Sequence, residues 1–116
     1  MNKDWKMNHK LLVTIAKKGM SKKIVKASKE AGAEGGTILM GKGTGIYTDK
    51  KLFGITIEPE KEVILTLIAE SKLAPVMDAV VAAGNLNKPG FGIAFVLDIK
   101  KAAGIVHLLK QMVKEV

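Results

Sequence analysis

Two short glycine runs, each carrying a lysine, are the residues of this chain whose types and spacing could do chemistry. They are Gly41-Lys42-Gly43-Thr44-Gly45 and Lys88-Pro89-Gly90-Phe91-Gly92. Glycine lets successive backbone N–H groups turn inward to form a concave nest for an anion. A lysine at the rim adds a point charge suited to phosphate. Glycine pairs also serve plain turns, so each run alone is open to both readings. The rest of the inventory is thin. His9 and His107 are isolated and lack partners at metal-ligand spacing. Glu58, Glu60 and Glu62 alternate around Pro59, so on a strand they would share one side and could take a cation; as loop residues they would only be solvated. There is no Ser-His-acid set and no nucleotide-hydrolysing P-loop pattern, so no enzyme is expected.

The elements that must position these runs come in two copies. Leu11-Leu12-Val13-Thr14-Ile15 reappears as Val63-Ile64-Leu65-Thr66-Leu67, shifted by 52 residues. At the same shift Ile24 falls on Val76, Ala27 on Ala79, Ala31 on Ala83 and Gly32 on Gly84. Each half reads strand, helix, glycine-containing turn, strand. This doubling predicts an α+β, ferredoxin-like βαββαβ fold with a four-stranded antiparallel sheet. Strands are expected over 10–16, 37–42, 62–69 and 93–98, the third of them central. Helices are expected after Ser21 and Ser71 as N-caps, with Gly32 as a left-handed exit from the first. A short C-terminal helix is read over 102–113, and residues 1–9 as a frayed, disordered tail. Residues 43–61 show turn chemistry without periodicity, a length usual for functional or disordered loops. Residues 10–116 form one domain. Two helices cover one face of such a sheet, yet Leu12, Thr14, Leu65 and Leu67 place apolar or small residues on both faces. The second face therefore needs cover, from the C-terminal helix or from other copies of the chain, and a homo-oligomer is expected.

The net charge of +8 is carried by residues 1–29, where nine lysines face Asp4 alone; residues 30–116 balance. This cluster reads either as an electrostatic face for an acidic partner or as a solvated helix face with a solubilising tail. All 19 basic residues are lysine. Without the planar fork of arginine, sequence-specific DNA reading has little support. One Trp and one Tyr are too few for single-strand stacking, so nucleic acid is an unexpected partner. The absence of cysteine removes disulfide and thiolate chemistry. With no apolar run long enough to span a bilayer and no signal-like N-terminus, the chain reads as cytoplasmic.

At the glycine runs the chain resembles the PII family of nitrogen-regulatory signalling proteins, over roughly residues 10–104. That family's phosphate loop is matched by Leu86-Asn87-Lys88-Pro89-Gly90-Phe91-Gly92-Ile93-Ala94-Phe95, with Lys88, Gly90, Gly92 and Phe95 identical. Gly32 and Gly35-Gly36-Thr37 match the family's helix end and the opening of its second strand. Lys42-Gly43-Thr44-Gly45 matches the start of its long regulatory loop. The resemblance implies a homotrimer with adenine nucleotides in clefts between subunits. Thr37 and the backbone near Ile15 and Leu67 would face the adenine. Lys42, Gly43, Gly45, Lys88, Gly90, Phe91 and Gly92 would line the phosphates. The loop over 44–61, with Thr44, Tyr47, Lys50, Lys51 and Phe53, would contact a regulated enzyme or membrane transporter, in nitrogen metabolism by family analogy.

Departures from the family pattern narrow the expected ligand. Tyr47 stands for the Gln that helps hold Mg-ATP and 2-oxoglutarate, and Ile46 for the preceding Arg. Phe91 and Ile93 replace the Asp and second Lys of the phosphate loop, and Gly104 and Val106 replace two Arg. The second Lys and the two Arg that Gly104 and Val106 replace are three lost cationic phosphate contacts, at about 1.5–3 kcal/mol each, and their loss weakens a triphosphate most. AMP or ADP is thus a better expected effector than ATP. Two other classes remain in view: a trimeric metal-binding protein of the divalent-ion-tolerance (CutA-like) group, and a basic nucleic-acid-binding module.

Overall fold

The computed structural model describes residues 8–43, 50–52, 55–57 and 59–104. Strand β1 spans His9–Lys17, helix α1 Ser21–Glu30 and strand β2 Gly36–Lys42. Two three-residue strands follow, β3 (Lys50–Leu52) and β4 (Ile55–Ile57). Then come β5 (Glu60–Ala69), a 3-10 turn (Glu70–Lys72), helix α2 (Leu73–Gly84) and β6 (Gly92–Asp98). The main sheet is antiparallel in the order β2-β5-β1-β6, while β3 and β4 pair only with each other. This α+β arrangement of four antiparallel strands and two helices is compatible with a ferredoxin-like fold, and β5 is central as expected. Among the described residues no helix is long and apolar enough to cross a membrane.

The internal repeat is visible in the pairing itself. Val13 lies opposite Leu65, its own counterpart at the 52-residue shift, so the β1–β5 ladder is the seam of a local twofold. Even-numbered residues of these strands face the helices. There Leu12, Ala16, Ile64 and Ile68 meet Ile24 of α1 and Val76, Val80 and Ala83 of α2 in one core. Full burial of each large aliphatic side chain contributes about 1.5–3 kcal/mol. Odd-numbered residues form the opposite face. Cross-strand rows there read Leu39, Val63, Ile15, Ile93, then Thr37, Leu65, Val13, Phe95, with Leu67, Leu11 and Leu97 beyond. Leu39, Ile93 and Leu97 are 49%, 55% and 48% exposed. Leu12 and Thr14 thus belong to the helix-covered face, and Leu65 and Leu67 to the open one.

Several local expectations are corrected. Ser21 is the first residue of α1 rather than its cap: Met20 holds the cap position, with no side-chain bond from it. Ser71 lies inside the 3-10 turn, and α2 starts after Lys72. The stretch 43–61 is not a loop throughout: β3, β4 and the first residues of β5 lie within it, where β-branched Ile55, Thr56 and Ile57 favour extended backbone. Its base is closed by the Gly43 N–H, which donates to the Pro59 carbonyl at 3.1 Å. The end of the presumed tail is ordered too. His9 opens β1 and is buried, and the Asn8 carbonyl accepts from the Glu70 N–H at 2.8 Å. Residues 102–104 are not helical, and Gly104 has φ +85°. The rest of the expected C-terminal helix, with His107, lies outside the described residues, as do Met1–Met7.

Candidate functional site

The glycine turn between α2 and β6 is built by three constraints. Helix α2 ends at Asn85, left-handed at φ 52°, whose N–H donates back to Ala82. The chain then turns tightly: the Lys88 N–H donates to the Asn85 carbonyl and the Phe91 N–H to the Lys88 carbonyl. Gly90 (φ +80°) and Gly92 (φ +139°) take conformations that side chains resist. Gly92 is opposite Ala16, and a Cβ there would lie 2.1 Å from the Ile15 carbonyl oxygen. Only glycine lets β6 start this close to the end of β1. The Gly90 N–H makes no hydrogen bond among the described residues. It is free to serve a ligand.

Three side chains project from this turn and its neighbour strand. The Lys17 Nζ sits 3.9 Å from the centroid of the Phe91 ring, and the Lys88 Nζ is 5.9 Å from it. Both are within reach of a cation–π contact. Lys17, at the last position of β1, was legible in the sequence only as one member of a lysine cluster. The signal that could have singled it out is the odd-numbered alternation of β1, which puts Lys17 on the same side as Phe91.

The first glycine run lies at the same end of the sheet but at its other edge. Lys42 pairs with Glu60, and Gly41 with Lys61, which in turn pairs with Lys17. Because β2 and β6 are the two outer strands, three strand spacings, roughly 14 Å, separate Gly43 from the Lys88–Gly92 turn. A single chain therefore does not bring its two runs together. Ile15, Thr37 and Leu67 do share a face, the open apolar one, in three successive cross-strand rows. Lys50 and Lys51 fall in β3. Thr44, Gly45, Tyr47 and Phe53 lie outside the described residues.

Glu60 and Glu62 serve different partners. Glu58 lies outside the described residues. Glu60 is exposed and paired through Oε2 with the Lys18 Nζ at 2.6 Å, a contact that lowers its pKa. Glu62 is only 8% exposed, and its Oε1 accepts from the Gly19 N–H at 2.8 Å and the Ser21 N–H at 2.9 Å. Burial alone would raise its pKa. The Ser21 amide and hydroxyl and the amides of Gly19 and Met20 outweigh that and hold it below the ordinary carboxylate range. Glu62 is therefore the N-terminal cap of α1, delivered from β5 across the sheet, and not a loop-solvating residue. The same carboxylate fills the one place on α1 where an anion would otherwise bind. His9 is neither in a tail nor on the surface; its buried Nδ1 has no hydrogen-bond partner among the described residues. Among the described residues no three His, Asp or Glu side chains are grouped to hold a metal ion. The lysines of α1 (Lys22, Lys23, Lys26 and Lys29) are all solvent-exposed.

The class defined by fold and site is thus a small α+β domain with an uncovered apolar sheet face and a cationic glycine turn at one end of it. No protein-family model matches the chain, and no curated protein does.

Proposed function

We propose that this protein is a ligand-sensing regulator of the PII type, working as a homotrimer that binds an adenine nucleotide between subunits. The observation that carries this reading is the placement of the two glycine runs at one end of the sheet but on opposite edges. Each run supplies half of an anion site, and only a neighbouring protomer can bring the other half. The open face supplies the reason to associate. A grid of aliphatic residues with Phe95 at its edge is the kind of continuous apolar surface that other subunits cover. Ligand in the cleft would favour one state of the segment after Gly43 and so change affinity for a partner protein. The energy for that change comes from tighter binding to one state of the segment than to the other.

With Phe91 and Ile93 where the family carries Asp and Lys, the site suits AMP or ADP better than ATP. Isothermal calorimetry against the three nucleotides tests the reading, with light scattering to establish the assembly. A trimer with saturable heat for AMP or ADP and a weaker response to ATP is expected. A folded monomer, or a trimer that gives no heat with any of them, would falsify it.

A further inference from the structure

The charges around Phe91 point to one more binding residue. Lys10 pairs with Asp98 and Lys18 with Glu60. Among the described residues Lys17 and Lys88 are in no ion pair, and both ammonium groups lie against the same aromatic ring. The neighbours Lys17 and Lys18 are thereby separated in role by strand alternation. Lys18 is neutralised by Glu60, while Lys17 emerges on the open face beside the glycine turn. Two cations against one ring repel each other, and an anion reached by both relieves that repulsion. The unpaired Gly90 N–H in the same turn adds a donor.

We infer that Lys17 is a second phosphate-binding residue, which acts with Lys88 across the Phe91 ring to hold a diphosphate group. This deepens the reading of the turn as a nucleotide site and rests on that turn being where phosphate binds. It also supplies a cation to a loop whose second lysine is replaced by Ile93. The ring is what the two lysines share: both ammonium groups lie against Phe91, and Gly92 lets the chain beside it approach the end of β1.

The shared chemistry is a diphosphate, free or nucleotide-borne, so the full-length protein is titrated by calorimetry with inorganic pyrophosphate and, separately, with ADP. Lys17→Met keeps the aliphatic cover on the ring and removes the charge; Lys17→Arg keeps the charge; Lys18→Met is the neighbouring control. Lys17→Met is expected to weaken both ligands tenfold or more. Lys17→Arg should stay within about threefold of the wild type, and Lys18→Met should be unchanged. Thermal melts of each variant check folding, and Lys17→Ala provides a second neutral variant. Unchanged affinity in a folded Lys17→Met or Lys17→Ala overturns the inference while leaving the nucleotide reading intact. Pyrophosphate binding that depends on Lys17, with no binding of AMP, ADP or ATP, supports the inference and overturns the nucleotide reading. No binding of pyrophosphate or of any of the three nucleotides to the wild type overturns both.

Discussion

The two halves of the molecule, β1-α1-β2 and β5-α2-β6, share a plan and differ in how it is finished. Ile24 and Val76 are equivalent and fully buried; at the helix ends Ala83 is buried in the same core, and its counterpart Ala31 is partly buried against it. The last strands are both seven residues long, Gly36–Lys42 and Gly92–Asp98. Their registers are not equivalent. Gly36 pairs with Thr66, so symmetry would place Gly92 opposite Thr14; it is opposite Ala16, two residues further along β1. An even slide preserves which residues face the core. It also carries the second glycine turn out to the end of β1, against Lys17, while the first glycine pair begins inside the sheet edge. Gly92 follows its counterpart Gly36 by 56 residues, four more than the 52-residue repeat, so the four extra residues set this register as well as lengthening a loop.

The helix entries differ in the same spirit. Glu62 caps α1 from the neighbouring strand, but its symmetry equivalent at the other entry is Lys10, a cation with nothing to offer helix N–H groups. Lys10 instead pairs with Asp98 at 2.7 Å. Helix α2 begins through a 3-10 turn and carries Pro75 in its first turn, where few N–H groups have partners to lose. The repeat therefore transmits shape and core packing, while polar chemistry has been assigned separately in each half.

The sharpest way to break this comparison is at the two strand-opening glycines. Gly92→Ala must displace the Ile15 carbonyl and hold a positive φ, and is expected to cost about 3 kcal/mol or more. Gly36→Ala meets tight contacts, 3.2 Å to the Ile64 side chain and 3.3 Å to the Leu65 carbonyl, which a shift of a few tenths of an ångström relieves, and is expected to cost about 1 kcal/mol. Urea unfolding of the two variants reads the difference; equal midpoints would mean that the slide of β6 is not held by Gly92. Next in size is the cap. Glu62→Ala leaves the N–H groups of Gly19 and Ser21 without their acceptor and is expected to cost about 2 kcal/mol. Lys10→Ala removes an exposed pair and should leave the unfolding midpoint where it was.

The smallest effect expected is in the acid dependence. The folded-state pKa of Glu62 is lowered, so its contribution is complete above the ordinary carboxylate range and is lost as pH falls through the folded value. Glu62→Gln should therefore flatten the acid limb of a stability-against-pH profile relative to the wild type. A limb of unchanged steepness would assign that loss to other carboxylates.

Much of this was legible in the chain. The odd-even alternation of Leu11–Ile15 and Val63–Leu67 identifies both central strands and warns of an apolar second face. Gly32 exits α1 at φ +124° as its position suggests. Gly84 is different: it is the last residue of α2, a Cβ there would crowd Ile24 Cδ1 and Leu86 at 3.1 Å, and Asn85 makes the left-handed exit instead. The hairpin of β3 and β4 was missed because each strand is only three residues long, too short to show a period. In the candidate site, the glycines and Lys88 were readable as a local motif, whereas Lys17 was hidden among equivalent-looking lysines.

What the amino-acid sequence determined alone is what depends on near neighbours: where strands and helices fall, which strand residues share a face, and which positions need glycine. Only the tertiary structure decided what depends on partners far along the chain. Glu62 finds the α1 amides from another strand, Lys17 meets Phe91, and β6 settles two residues beyond the symmetric register. Hydrophobic periodicity is a property of one segment, but a hydrogen bond or a cation–π contact between segments is set by register. Registers two residues apart bury the same side chains, so the apolar pattern cannot choose between them.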